Sequence, residues 1–383
     1  SCSDIRLPGR QWNAGRAAPV FINDSPMENL INIHLLSGFL GSGKTTAIQS
    51  ACHILQESGM KVAVITNDQG IKLVDADLFR HLGIPGRQVM NGCFCCNYPD
   101  LDNQIQSLVE SGSPDVIFAE SVGSCTDIIA TVLKPLRLYR PGVPVTLSVF
   151  ADALLLHMLL VEGNVLFEEA VNYIYFKQLE ESTILIINKV DLLEPVQLRD
   201  LKKALTAKYG DKILLYQNSK DYGSARQWIN ALNEMPFTAA DSLEMDYDLY
   251  GEGEARLAWL DQEIEIESDG KTANRVAVDL MMNIHHKITN HQYPIGHLKF
   301  LLNGKEKVSF TSNAVAEEPA FKVAPAEAAI VLLNARVQAG PAELSELVDE
   351  SIREAKEEPG TRIRIRSVSA FQPGYPKPTH RLA

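Results

Sequence analysis

The sequence predicts an α/β protein in two parts: a mainly parallel sheet flanked by helices, then a smaller C-terminal α+β domain. Three observations predict it. Short apolar runs alternate with longer amphipathic segments from Leu30 onward. The runs are apolar at nearly every position, as strands are when helices cover both faces. An acidic stretch, Thr238–Glu254 (TAADSLEMDYDLYGEGE), then ends the pattern, and the order of elements beyond it is different.

Residues 1–30 lack apolar periodicity and are read as an N-terminal arm or an expression scar, with Met27 a candidate natural start. Ile31–Ser37 reads as the first strand, Gly38–Gly43 as a loop and Lys44–Ser58 as a helix. Lys61–Asn67, Asp115–Ala119 and Val143–Phe150 read as the next strands. One helical stretch is expected over Leu154–Glu181. A strand at Thr183–Asn188, a helix at Gln197–Tyr209 and a strand at Lys212–Tyr216 complete the first unit, residues 31–236. The stretch 237–254 holds six acids and no base and reads as a solvated linker. Residues 255–383 form the second unit. Its order is a strand (Ala258–Glu267), a helix (Thr272–Asn290), three strands (Gly296–Asn303, Val308–Thr311, Ala329–Gln338), a helix (Pro341–Glu357) and a strand (Thr361–Val368). That β-α-β-β-β-α-β order suggests an α+β sandwich of ferredoxin-like character.

The chain has 48 acids against 36 Lys and Arg, a formal charge of −12, which argues against binding a nucleic-acid backbone as the main activity. No apolar run approaches the ~20 residues of a membrane span, and the first residues lack the apolar core of a secretory signal. A cytoplasmic protein acting on neither nucleic acid nor membrane is the expectation. Three of the six cysteines fall at Cys93, Cys95 and Cys96, which is not disulfide-framework spacing. In a reducing compartment such a cluster points to metal binding or redox chemistry.

Gly38-Phe-Leu-Gly41-Ser42-Gly43-Lys44-Thr45 matches G-x-x-x-x-G-K-[ST] between a strand and a helix, the context of a phosphate-binding P-loop. The glycines let backbone N–H groups turn toward phosphates at a helix N-terminus. Lys44 is expected at the β- and γ-phosphates and Thr45 on Mg²⁺. Asn188-Lys189-Val190-Asp191 follows the strand TILIIN. Asp191 can accept from both N1–H and the 2-amino group of guanine, a donor pair that adenine lacks. GTP is therefore expected rather than ATP, with an ATP-dependent small-molecule kinase as the weaker option. Ser219-Lys220 is a weaker candidate for the loop behind the base. After the strand VIFA, Glu120 is placed to complete the Mg²⁺ shell and Gly123 to sense the γ-phosphate; Asp68 is a second candidate acid. Lys44, Thr45 and Glu120 would then carry catalysis. No Gln follows Gly123 to position water, so slow unaided hydrolysis to GDP and phosphate is expected.

The loop Asn91-Gly92-Cys93-Phe94-Cys95-Cys96 offers three soft ligands and leaves one tetrahedral position for an exchanging group. Cys125 is a candidate fourth sulfur. A redox role for the thiols remains an alternative. His285, His286, His291 and His297 lie close in sequence, but their spacing does not put all four on one helical face.

In order, GFLGSGKTT, NDQG, NGCFCC, ESVG and NKVD resemble the CobW-type family of P-loop GTPases, relatives of the urease- and hydrogenase-maturation GTPases. The resemblance is strong over residues 31–195. It implies a GTPase with nucleotide contacts at Gly41 to Thr46, Glu120, Asn188 and Asp191, which binds a transition metal at Cys93, Cys95 and Cys96, Zn²⁺ first and Co²⁺ or Fe²⁺ as alternatives, and delivers it to a client metalloprotein or cofactor-synthesis enzyme. It leaves a homo-oligomer open. The family commonly has glutamates where this chain has Thr66 and Ile71, so fewer carboxylates are expected at the metal. The alternative is a GTP-regulated activation factor for a metallo- or corrinoid enzyme, with structural or redox cysteines and no metal transfer. The cysteine loop lies between two segments expected to contact Mg²⁺ or the γ-phosphate, so a nucleotide-gated metal site is expected.

Overall fold

The computed structural model describes residues 31–67, 74–90, 92–234, 241–312 and 322–382. The first unit contains β1 (Asn32–Ser37), α1 (Lys44–Glu57), β2 (Val62–Asn67), α2 (Val74–His81), β3 (Gly86–Val89), α3 (Tyr98–Gly112) and β4 (Val116–Glu120). It continues with α4 (Lys134–Tyr139), β5 (Val145–Asp152), α5 (Ala153–His157), α6 (Glu169–Glu181), β6 (Ile184–Asn188), α7 (Pro195–Tyr209), β7 (Ile213–Gln217) and α8 (Tyr222–Glu234). Its seven strands pair in parallel in the order β3-β2-β4-β1-β5-β6-β7. The chain winds outward from β1 in both directions, which opens a crevice at the C-terminal ends of the central strands. The register brings those ends level: Leu36 and Thr66 each oppose Glu120, and Asp152, Asn188 and Gln217 lie in one row.

The second unit follows α9 (Tyr247–Ala255) and contains β8 (Ala258–Ser268), α10 (Ala273–Asn290), β9 (Ile295–Leu302), β10 (Glu306–Phe310), β11 (Ala328–Val337), α11 (Pro341–Ala355) and β12 (Thr361–Phe371). Its antiparallel sheet runs β10-β9-β11-β8-β12, so β10 extends a ferredoxin-like β-α-β-β-α-β plan at one edge. Alternation gives the sheet two different faces. Leu298, Phe300, Val331, Leu333 and Ala335 enter the core beneath α10 and α11. Their neighbours on the opposite face, among them His297, Lys299, Leu301, Leu332 and Arg336, meet the first unit: Leu301 and Leu332 cluster with Val74 and Leu78 of α2.

Two local expectations change, and the structure adds one strand that was not expected. The single helix over 154–181 is two, separated by a π-helical turn at Met158–Glu162, a left-handed Gly163 and an exposed loop. Strand β3, with the sequence GRQV, is a short, largely polar edge strand that hydrophobicity does not mark. The acidic stretch is not solvated throughout: α9 lies in it, capped by Asp246, with Tyr250 and Glu254 at 0% and 1% exposure. Its buried face is small and aromatic, which a charge count hides. The N-terminal arm and the boundary near residue 236 lie outside the described residues. Among the described residues no helix is long and apolar enough to cross a membrane.

Candidate functional site

Six strand ends and one face of the second sheet enclose a cavity of about 810 Å³. The loop after β1 forms its floor. Gly38 has φ +128°, and a Cβ there would lie 2.1 Å from the Phe150 carbonyl oxygen. Gly43 has φ +89°, and its Cβ would strike the Asn188 amide at 2.3 Å, so the loop requires glycine at both positions. Lys44 curls back so that Nζ donates to the Gly38 carbonyl at 2.6 Å. Burial lowers its pKa to about 8, opposed by the nearby Glu120 carboxylate. Thr45 Oγ1 donates to both Glu120 oxygens, at 3.0 and 3.1 Å. Burial, and then the Asp75 carboxylate, raise the Glu120 pKa. Residues 41–46, Glu120 and Gly123 all line the cavity.

At the other end, Asn188 braces two loops. Its Nδ2 donates to the Ser42 carbonyl at 2.8 Å, and its Oδ1 accepts from Ser219 N and Oγ at 3.0 and 2.8 Å. Lys189, at φ +64°, reaches Asp152 at 2.7 Å; Asp152 in turn caps α5. Asp191 lines the cavity with an exposed carboxylate, beside residues 218–220.

The cysteine loop sits beside this cavity. Among the described residues, Cys93, Cys95 and Cys96 are the one group of three or more His, Cys, Asp or Glu donors close enough to share an ion, their sulfurs all within 4.8 Å. Cys125 falls outside that group but hydrogen-bonds with Cys93 and Cys95. Hydrogen bonds from Cys125, Cys95 and Cys96 hold the Cys93 thiol well below its usual range. The other three are raised: Cys95 chiefly by its hydrogen bond with Cys125, Cys96 to about 12 by the one with Cys93, and Cys125 by burial. A soft cation bound among these sulfurs would displace their protons.

Two links join cluster and cavity. Asn67 lines the cavity, and its side chain grips the cysteine loop: Nδ2 donates to Val89 O and Gly92 O at 3.2 and 2.8 Å, and Oδ1 accepts from Phe94 N at 2.8 Å. Cys125 closes the turn that begins at Glu120, its N–H donating to Val122 O at 3.0 Å. On the outer side, Ser124 Oγ donates to Glu254 of α9 at 2.9 Å, and the C-terminal segment crosses the loop, with Lys377 N 3.2 Å from Cys96 Sγ and Thr379 N 2.9 Å from Cys95 O.

Sequence reasoning missed a whole wall of the cavity. Asp75, Trp259, His297, Lys299, Lys307 and Arg336 all line it. No local motif marks them, because four strands of a separate sheet and one short helix bring them together. Asp68 and Ile71 lie outside the described residues. The four histidines do not converge: His285 stacks on Phe310 and His291 bonds to the Lys287 carbonyl, whereas His297 faces the cavity.

Residues 32–214 match a family model described as the CobW/HypB/UreG nucleotide-binding domain. The chain is 28% identical over 190 residues to the zinc chaperone YeiR of Escherichia coli (strain K12), covering 48% of this chain and 54% of that protein. It is 31% identical over 147 residues to the zinc chaperone YjiA of the same organism, covering 38% of this chain and 42% of that one. The chain thus spans about half the length of the curated relatives it matches. A crystal structure of HypB from Helicobacter pylori in complex with nickel aligns at 18% identity with TM-score 0.42, covering 55% of this chain and 92% of that one.

Proposed function

We propose that this chain, whose residues 32–214 match the model of the CobW/HypB/UreG nucleotide-binding domain, is a Mg²⁺-dependent GTPase whose nucleotide state governs a transition metal held by Cys93, Cys95 and Cys96. The metal is cargo, Zn²⁺ first, passed to a client metalloprotein or cofactor-synthesis enzyme. One observation carries the reading: Asn67 lines the cavity while its side chain grips the cysteine loop. A ligand that shifts the end of β2 must therefore shift the sulfurs.

Lys44 takes the β- and γ-phosphates, and Asp191 reads guanine. Thr45 Oγ and Glu120 are oxygen donors of the kind a hard cation selects, and Mg²⁺ bound there would neutralise phosphate charge. Three sulfurs suit Zn²⁺ with one position open for exchange. Names of relatives that describe zinc chaperones support zinc as the first metal to test. A second reading, a GTP-regulated assembly factor with structural thiols, draws on the burial of Cys93, Cys95 and Cys125.

The test measures GTP turnover and bound Zn²⁺ in wild type, Lys44→Ala and a Cys93/Cys95/Cys96→Ser triple variant. Lys44→Ala should lose turnover by about 100-fold or more. The triple variant should lose stoichiometric Zn²⁺ and keep GTP binding. One equivalent of Zn²⁺ retained by the triple variant would sink the metal half. ATP displacing GTP at equal concentration would sink the guanine assignment. GTP-dependent transfer of Zn²⁺ to an apo-client separates the delivery reading from the assembly one.

A further inference from the structure

Lys299 on β9 and Lys307 on β10 belong to the second sheet, yet both line the cavity that holds Lys44 and Glu120. The antiparallel register explains how. Lys307 pairs with Leu301, and directly opposed residues share a face. Leu301 lies two residues from Lys299, so it shares that residue's face also. All three therefore project from the face that meets the first unit. The two ammonium groups converge on one carboxylate, Asp75 in the first turn of α2, at 2.5 and 2.7 Å. The three side chains are 16%, 19% and 17% exposed. Each is close enough to the phosphate loop to act on Glu120, and Lys299 and Asp75 also act on Lys44. The same wall carries two buried nitrogens without a hydrogen-bond partner, Trp259 Nε1 and His297 Nε2, in side chains 1% and 7% exposed. Buried polar atoms without partners are uncommon, and here they line a cavity.

We propose that Lys299 and Lys307 bind the terminal phosphate of the nucleoside triphosphate, which takes the place of Asp75. The second domain then distinguishes triphosphate from diphosphate. This rests on the reading of the cavity as a nucleotide site. A terminal phosphate has three acceptor oxygens and more charge than a carboxylate, so it can receive both ammonium groups together. A diphosphate has no group at that place, and Asp75 keeps the lysines. Asp75 also ties α2 to the second sheet, next to the Val74 N–H that donates to Asn334 Oδ1 at 2.8 Å. Exchange of its partners would loosen that tie when triphosphate binds.

The test uses the full chain with Mg²⁺ and two probes, GDP and the non-hydrolysable guanosine 5′-(β,γ-imido)triphosphate. In a Lys299→Gln/Lys307→Gln double variant, affinity for the triphosphate analogue should fall about tenfold or more, as expected for lost charge-assisted bonds, while affinity for GDP holds within about twofold. Equal losses for both probes, which a purely structural ion pair would give, overturn the proposal. So does no loss for either. Asp75→Asn removes the competing carboxylate and should raise the preference for the analogue over GDP several-fold. A gain of this kind cannot come from misfolding, and an unchanged or reduced preference overturns the proposal. Wild type that binds neither probe sinks the nucleotide reading, and this proposal with it; wild type that binds both while the variants keep its preference sinks this proposal alone.

Discussion

His34 stands in the middle of β1, 6% exposed, with Nδ1 2.7 Å from Thr146 Oγ1 and its ring against Phe118. Burial lowers its pKa from 6.5 to about 4. Between those values the unfolded chain takes up a proton that folded His34 refuses. Stability therefore rises with pH across this window, and this contribution is lost as pH falls from 6.5 toward 4. The size is about 3 kcal/mol by linkage. Urea unfolding at pH 7 and pH 4 should show wild type losing more stability than His34→Gln by an amount of this order. Parallel losses would mean that His34 does not titrate in this way. A different burial holds for Arg336. At 0% exposure, it donates to Asp261 at 2.8 Å and lies over the Trp259 ring at 3.8 Å. Asp261 supplies the opposite charge that a buried guanidinium requires.

Helix α9 shows what small residues do for an element. A Cβ on Gly253 would meet the Ala170 carbonyl oxygen of α6 at 2.3 Å, and one on Gly251 would meet the Tyr375 ring at 1.9 Å. The two glycines let α9 lie flat between α6 and the C-terminal segment, which places Tyr250 and Glu254 against the turn that carries Cys125. Tyr250 OH accepts from Thr126 N at 3.1 Å, just past Cys125. Gly253→Leu must push α9 away, because a backbone carbonyl cannot yield as a side chain can. The expected cost is about 1–3 kcal/mol. The reaction of the cysteines with a thiol reagent should also become faster while circular dichroism stays native. Unchanged thiol reactivity would show that α9 does not shield the cluster.

At the scale of the molecule, the two sheets share more than a boundary. Val74 and Leu78 of α2 cluster with Leu301 and Leu332 of the second sheet, and Trp259 of β8 belongs to the core of the first unit. Leu332 is 5% exposed and does not line the cavity. Leu332→Ala should cost about 2–4 kcal/mol through the cavity it leaves. It should also weaken nucleotide binding, because the wall bearing Lys299 and Lys307 docks through this cluster. Calorimetric titration with GTP analogue checks this; full affinity in the variant would show that docking and nucleotide binding are separate.

The parts legible in the sequence are those in which chemistry and neighbourhood coincide along the chain. Gly38–Thr45 needs particular backbone angles at adjacent positions, Asn188–Asp191 ends an apolar strand, and Cys93–Cys96 crowds thiols into one loop. The alternation of apolar runs and helices likewise determined a parallel sheet, since strands buried on both faces must be apolar throughout. Tertiary structure decided the rest. It brought Lys299 and Lys307 to Asp75 across the chain, turned an acidic stretch into the helix against the turn that carries Cys125, and left Trp259 and His297 facing the cavity. These residues are ordinary in their local context, and their roles come from which face of a sheet meets which end of another. That meeting depends on long-range packing, which no short window of sequence contains.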